Sequence, residues 1–208
     1  RQGCAALSRQ SGHGRGIQRQ PGLGRQGRVD NGRRQVALEA ARRFGTCRGI
    51  VEAEFHLPLL PGTDVALHHA MLHLMLWEGL VDHTYIAAHT AGFDALRDRV
   101  REFTPAQAAR ICGLKEADIV QAARWFAGLH DDSGVRGPTL SLYCQGLNQS
   151  SSGTDKNTAL INLHLATGQI GKPGSGLNPL RGQNNVQGAS DSGLIPMFYP
   201  DYQRVNTP

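Results

Sequence analysis

Pro138 introduces Thr139-Leu-Ser-Leu-Tyr-Cys144, a run with the length and apolar content of a strand. The chain then passes through Gln145-Gly-Leu-Asn-Gln149 and the small polar loop Ser150–Gly153 into a helix expected over Lys156–Thr167, which Gly168 stops. Strand, polar loop and helix in this order are how an α/β domain presents backbone N–H groups and side-chain amides to a ligand. This unit sets the expected class as α/β, with the carboxyl end of the strand as the first place to look for a site.

Upstream, Phe55-His-Leu-Pro-Leu-Leu60 reads as a short buried strand that ends in the turn Pro61-Gly62. Thr63 or Asp64 then caps a helix running to about Gly79, with Leu67, Met71, Leu72, Leu74 and Met75 largely at helical spacing. Asp82 is expected to cap a short helix through Ala88, and Phe93–Phe103 forms another. Thr104-Pro105 is a strong start signal, because proline suits the first helical position. Lys115–Leu129 is amphipathic, with Ile119, Ala122, Ala123 and Phe126 on one side. Beyond Gly168 the sequence is glycine-rich and reads as irregular. No internal repeat is visible.

The formal charge of +5 is unevenly placed. Residues 1–50 carry eleven arginines, no lysine and two acids, Asp30 and Glu39, whereas the remainder holds eleven cations against fifteen acids. Residues 1–45 therefore stand apart as an Arg/Gly-rich segment, flexible and basic at face value, of a kind that can bind nucleic acid through phosphates. A nucleic-acid-binding module built on this segment is a rival reading, opposed by the acidic remainder. It would show binding that weakens steeply with salt and disappears when residues 1–45 are removed.

Several motifs carry less than they first suggest. Gly168-Gln-Ile-Gly-Lys-Pro173 is no phosphate loop: Pro173 stands where Ser or Thr should follow Lys172, and the loop leaves a helix instead of entering one. His69 and His73 are four apart, but lack the glutamate of HExxH and a third ligand, so packed or surface histidines are the better reading. His83, His89, His130 and His164 have no partners that sequence can identify. Cys4, Cys47, Cys112 and Cys144 have no CxxC or CxxxC spacing, so no metal ligand is assigned and reduced structural thiols are expected. No apolar run approaches the roughly 18–20 residues needed to cross a bilayer, and no signal-peptide pattern opens the chain. The chain opens on Arg1 rather than Met and closes at Pro208 just after an aromatic loop, so it reads as an internal piece of a longer polypeptide.

Two stretches are more informative. The amides of Gln145-Gly-Leu-Asn-Gln149 both donate and accept, which suits a pterin or guanine edge as well as it suits a polar turn. In Leu180-Arg-Gly-Gln-Asn-Asn-Val-Gln-Gly188, the side chains of Arg181, Gln183, Asn184, Asn185 and Gln187 crowd between glycines. That is a poor recipe for core or helix. A solvated loop would tolerate such an array, and a polar ligand would require it.

The stretch Asn178-Pro-Leu-Arg-Gly-Gln-Asn-Asn-Val-Gln-Gly-Ala-Ser-Asp-Ser-Gly193, with Pro196 and Tyr199-Pro-Asp-Tyr202, closely resembles molybdenum- or tungsten-dependent formate dehydrogenases. These belong to the family that binds two molybdopterin guanine dinucleotides. The resemblance runs from about Phe55 to the end, and Pro61-Gly-Thr-Asp64 and Thr167-Gly-Gln-Ile-Gly-Lys-Pro-Gly174 look like landmarks shared with the nitrate reductases of that family. It implies the molybdopterin-oxidoreductase fold with Rossmann-like cofactor-binding domains, residues 46–208 forming part of the molybdopterin-binding region. Gly62, Thr63 and Asp64 match positions that contact a guanine dinucleotide, and Gln145 and Gln149 match two further cofactor contacts. Arg181 matches the active-site arginine of formate dehydrogenases, and Gln183 a neighbour beside the pterin. One departure stands out: Gln149-Ser-Ser-Ser-Gly-Thr-Asp-Lys156 and the helix after it look more like assimilatory nitrate reductases. Those usually carry Thr-Gly-Gln-Pro where this chain has Arg181-Gly-Gln-Asn184, so the arginine decides for formate.

What the resemblance implies is a catalytic subunit that oxidises formate to carbon dioxide. Electrons would pass from a molybdenum (or tungsten) bis-molybdopterin guanine dinucleotide centre to a [4Fe-4S] cluster held upstream. Electron-transfer subunits are the expected partners, nucleic acid is not, and the expected location is the cytoplasm. The metal ligand, its neighbouring histidine and the cluster cysteines should lie upstream too, so this piece alone should be inactive. The basic segment fits the same family if its reading frame is shifted. Codons for Gly16-Ile17-Gln18-Arg19-Gln20-Pro21-Gly22-Leu23, read one nucleotide later, permit Gly-Ser-Asn-Ala-Asn-Pro-Ala-Trp, which resembles the family's pterin-binding Gly-Ser-Asn loop.

Overall fold

The computed structural model describes residues 5–8, 35–38, 53–129, 134–180 and 183–206. Five strands form one sheet: β1 (Ala5–Ser8), β2 (Gln35–Leu38), β3 (Phe55–Leu57), β4 (Leu140–Tyr143) and β5 (Gly176–Pro179), in the order β3-β2-β1-β4-β5. The sheet is mixed, since β1 runs antiparallel to β2 and β4 while β2 and β3 are parallel. Two of these strands come from the Arg/Gly-rich segment; the rest of that segment lies outside the described residues.

The helices are α1 (Asp64–Trp77), α2 (His83–His89), α3 (Phe93–Val100), α4 (Pro105–Cys112), α5 (Glu116–Phe126), α6 (Gln145–Asn148), α7 (Gly153–Ala166) and α8 (Val186–Asp191). α1 is central, packing against α3, α4, α5 and α7. Leu67, His68, Ala70, Met71, Leu72 and Met75 are all buried along it, a broad face whose members recur at helical spacing. Each fully buried Leu or Met there contributes about 1.5–3 kcal/mol. α5 buries Ile119, Ala122, Ala123 and Phe126, the face its spacing predicts.

The caps follow from local chemistry. Asp82 accepts from the Tyr85 backbone N–H at 2.9 Å and starts α2, while Thr104 accepts from that of Gln107 at 3.3 Å ahead of Pro105. Two expectations are corrected. Thr63 makes no side-chain cap for α1, because its hydroxyl donates back to the Leu60 carbonyl at 2.6 Å. α7 begins at Gly153, three residues before the expected Lys156. A Cβ at Gly153 would stand 2.7 Å from the Asn148 carbonyl oxygen, so a residue without a side chain lets the helix begin against α6.

Residues Pro179–Pro208 form a second compact unit. It holds α8 and a two-stranded antiparallel sheet of β6 (Phe198–Tyr199) and β7 (Gln203–Arg204), joined by the turn Pro200–Tyr202. The glycine-rich tail is therefore more regular than its composition suggests. Among the described residues, no helix is long and apolar enough to cross a membrane.

Candidate cofactor site

The turn before α1 places Gly62 at φ +86°, with nothing within 4 Å of where a Cβ would stand. Left-handed backbone favours glycine there, and the open side leaves room for close approach by a ligand. Thr63 follows, and its carbonyl accepts from the Leu67 backbone N–H at 3.1 Å and the Cys112 thiol at 3.6 Å. Burial pushes that thiol's pKa up, against the pull of its hydrogen bond to Thr63, so Cys112 stays protonated in the core. Asp64 opens the helix, where the N-terminal backbone dipoles favour a carboxylate.

At the carboxyl end of β4, Gln145 is half-buried and its side-chain oxygen accepts from the Cys144 thiol at 3.1 Å. Gln149 ends the turn, exposed, with its backbone N–H on the Gln145 carbonyl at 2.9 Å. Between them, the Asn148 side-chain oxygen is buried with no hydrogen-bond partner among the described residues. Such an orphaned acceptor is costly unless an N–H donor meets it.

Lys156 brings the two stretches together. Its side chain is 7% exposed, and Nζ lies 2.8 Å from Asp64 Oδ2 and 3.4 Å from the Gly146 carbonyl oxygen. Sequence reasoning missed this residue. The available signal was its position on the face of α7 that buries Ala159, Leu160 and Leu163, where a lysine needs a partner.

One buried histidine, His68, stands beside the pair, and a second, His164, lies near His68. Burial lowers the pKa of His68 from 6.5 to about 4; Asp64 opposes the shift, while His69 and Lys156 add to it. Burial, with His68 nearby, lowers that of His164 to about 3. The His164 Nε2 is hydrogen-bonded to the Ser141 hydroxyl at 2.7 Å, and its ring meets Phe126 edge-on at 4.8 Å. Both rings are therefore neutral near pH 7. His69 packs edge-on against Phe103 at 4.8 Å, and His73 stacks on Trp77 while bonding the Val100 carbonyl at 3.1 Å. Both are packing residues.

In the second unit, Gln183 is exposed, as are Asn184, Asn185 and Gln187. Asn185 caps α8 by accepting from the Gly188 backbone N–H at 3.3 Å. Arg181 lies outside the described residues. Of the expected site residues, the first unit thus joins Gly62, Thr63 and Asp64 to the Gln145–Gln149 turn through Lys156.

An α/β unit with amides at a strand end and a carboxylate at a helix start suits a ligand rich in N–H donors and acceptors, such as a pterin or guanine. The family described as molybdopterin oxidoreductase matches residues 42–203, and the chain belongs to that family. The F420-dependent formate dehydrogenase subunit alpha of Methanocaldococcus jannaschii is 38% identical over 176 residues, which cover 85% of this chain and 24% of that protein. A nitrate reductase of Synechocystis sp. is 36% identical over 156 residues, 75% of this chain and 21% of that one. Among solved structures, acetylene hydratase from Pelobacter acetylenicus has a TM-score of 0.55 at 22% identity, covering 67% of this chain and 18% of the other, a likeness of fold. The chain spans about a quarter of the length of the first of these relatives.

Proposed function

We propose that the full-length protein is the catalytic subunit of a formate dehydrogenase, with residues 46–208 part of its molybdopterin-binding region. The observation that carries this reading is Arg181-Gly-Gln-Asn-Asn185, within a chain similar to formate dehydrogenase alpha subunits. The group to be held is a bis-molybdopterin guanine dinucleotide carrying molybdenum or tungsten. The donor set fits it: Asp64 and Asn148 offer acceptors for N–H groups, and Gln145 and Gln149 offer both donors and acceptors. Gly62 and Thr63 let backbone approach the dinucleotide, and Gln183 stands beside the pterin. Strand β4, the turn α6 and helix α7 support a Rossmann-like cofactor-binding role for this region.

When bound, this centre would supply the two-electron oxidation of formate to carbon dioxide. Arg181 holds the formate carboxylate through two parallel hydrogen bonds and stays charged at every working pH, which aims the C–H bond. A [4Fe-4S] cluster upstream and electron-transfer subunits complete the reading, in the cytoplasm. Nitrate reduction is the second reading, favoured by the nitrate-reductase-like stretch Gln149–Lys156 and by the Synechocystis relative. Formate- and nitrate-dependent turnover of the purified full-length protein separates them. Formate oxidation is expected, and nitrate reduction without it would end the leading reading.

A further inference from the structure

We propose that Lys156 is a positioning residue of the cofactor site: it locks the start of α1 to the α6 turn and orients the Asp64 carboxylate toward the guanine. This rests on the cofactor reading above. The residue is 5% exposed, and lysines are almost never buried to that extent without partners. Its ammonium touches Asp64 Oδ2 at 2.8 Å and reaches the Gly146 carbonyl at 3.4 Å. Its own backbone N–H bonds the Ser152 carbonyl at 3.0 Å in the first turn of α7. One side chain therefore ties together three chain segments: the helix start that follows Gly62 and Thr63, the turn between Gln145 and Gln149, and the helix that begins where Gly153 meets Asn148.

A stability role explains this arrangement poorly. A buried ion pair gains little over apolar residues of the same volume, because both charges must leave water. What it supplies is geometry. Lys156 faces Oδ2 as an ion pair at 2.8 Å, although Oδ2 takes no hydrogen bond among the described residues. The pair fixes the direction of the carboxylate, which is thereby held to accept an N–H of the guanine. The orphaned Asn148 oxygen, in the turn that Lys156 grips, is a second acceptor waiting for a donor.

The test compares Lys156→Met, Lys156→Arg and Leu160→Ala in the purified full-length protein. Leu160 is a buried apolar residue one turn along the same helix, so its truncation destabilises α7 without touching the ion pair. Molybdenum and acid-released guanine nucleotide are measured per mole of monomeric, folded protein, beside the melting midpoint. Lys156→Met is expected to lower cofactor retention about 10- to 100-fold, the range for groups that orient a direct ligand contact. Lys156→Arg restores most of it, and Leu160→Ala keeps the cofactor despite a lower midpoint. Wild-type loading in Lys156→Met, or equal loss in Leu160→Ala, overturns the inference while leaving the cofactor reading standing. If Lys156→Met yields no folded protein, Lys156→Gln takes its place: an amide still bonds Asp64, so retention between wild type and zero supports the role, and full retention overturns it. A wild-type protein carrying no guanine nucleotide would sink both.

Discussion

The two units of the chain meet their polar residues in opposite ways. In the first, Lys156, His68 and His164 are buried; Lys156 is paired with Asp64 and His164 with Ser141, while His68 keeps a buried ring nitrogen without a hydrogen-bond partner among the described residues. In the second, Gln183, Asn184, Asn185 and Gln187 are exposed, and so are the apolar Leu194 at 76% and Met197 at 63%. Among its described residues, Ser190 is buried and polar, and it is bonded to the Val186 carbonyl at 2.9 Å. Buried polar groups are set by the fold and costly to disturb, whereas an exposed amide loop takes its order from whatever it binds. The first unit should therefore answer substitution through stability and cofactor retention, and the second through turnover.

The largest effect is expected at Arg181. On the proposed reading, Arg181→Lys keeps the charge and loses the two-pronged grip on formate, and kcat/KM for formate should fall by about 100-fold or more. Molybdenum content should stay at the wild-type level, since the side chain is assigned to substrate and not to cofactor. Steady-state kinetics beside metal analysis checks both halves. Unchanged turnover would remove this residue from the active site and, with it, the main reason for preferring formate over nitrate.

Acid should act next, and on the first unit. The unfolded chain protonates its histidines from about pH 6.5 downward, whereas folded His68 and His164 stay neutral to about 4 and about 3. Stability is therefore full above pH 6.5 and is lost as the pH falls toward the folded values. At pH 5.5 each histidine costs up to about 1.4 kcal/mol. Amide hydrogen exchange in α1 and α7 of the full-length protein, corrected for intrinsic rates, should show protection falling through this window, with a shallower fall in His164→Gln. Identical slopes in the two proteins would mean that burial of His164 carries no such penalty.

Much of the frame was legible beforehand because its signals are local. Thr104-Pro105 starts α4 and Asp82 caps α2 through bonds within three residues, and the apolar face of α5 shows in its spacing. The turn around Gly62 was legible for the same reason. Lys156 was not: it is one cation in a polar stretch, and its meaning depends on Asp64, far upstream in sequence and 2.8 Å away in space. The tail was misjudged for a related reason. Glycines suggested an irregular chain, but the hairpin β6–β7 is set by pairing across Pro200–Tyr202, and α8 by the Asn185 cap. Pairing and capping of this kind leave no periodic trace.

The smallest stability effect is expected at Gln183, and there the contrast between the units can be sharpened. An exposed side chain has little to lose on truncation, so Gln183→Ala should move unfolding free energy by no more than about 0.5 kcal/mol. If it stands beside the pterin, as proposed, the same side chain should still matter for function. KM or kcat for formate should change while the melting midpoint holds. A buried residue such as Lys156 is expected to lower the midpoint as well as cofactor retention, because removing one partner of a buried pair costs about 3–5 kcal/mol by leaving the other charge uncompensated. If Gln183→Ala instead lowers the midpoint of the full-length protein by several degrees, the loop is packed against other parts of the enzyme, and its amides serve the fold before they serve the cofactor.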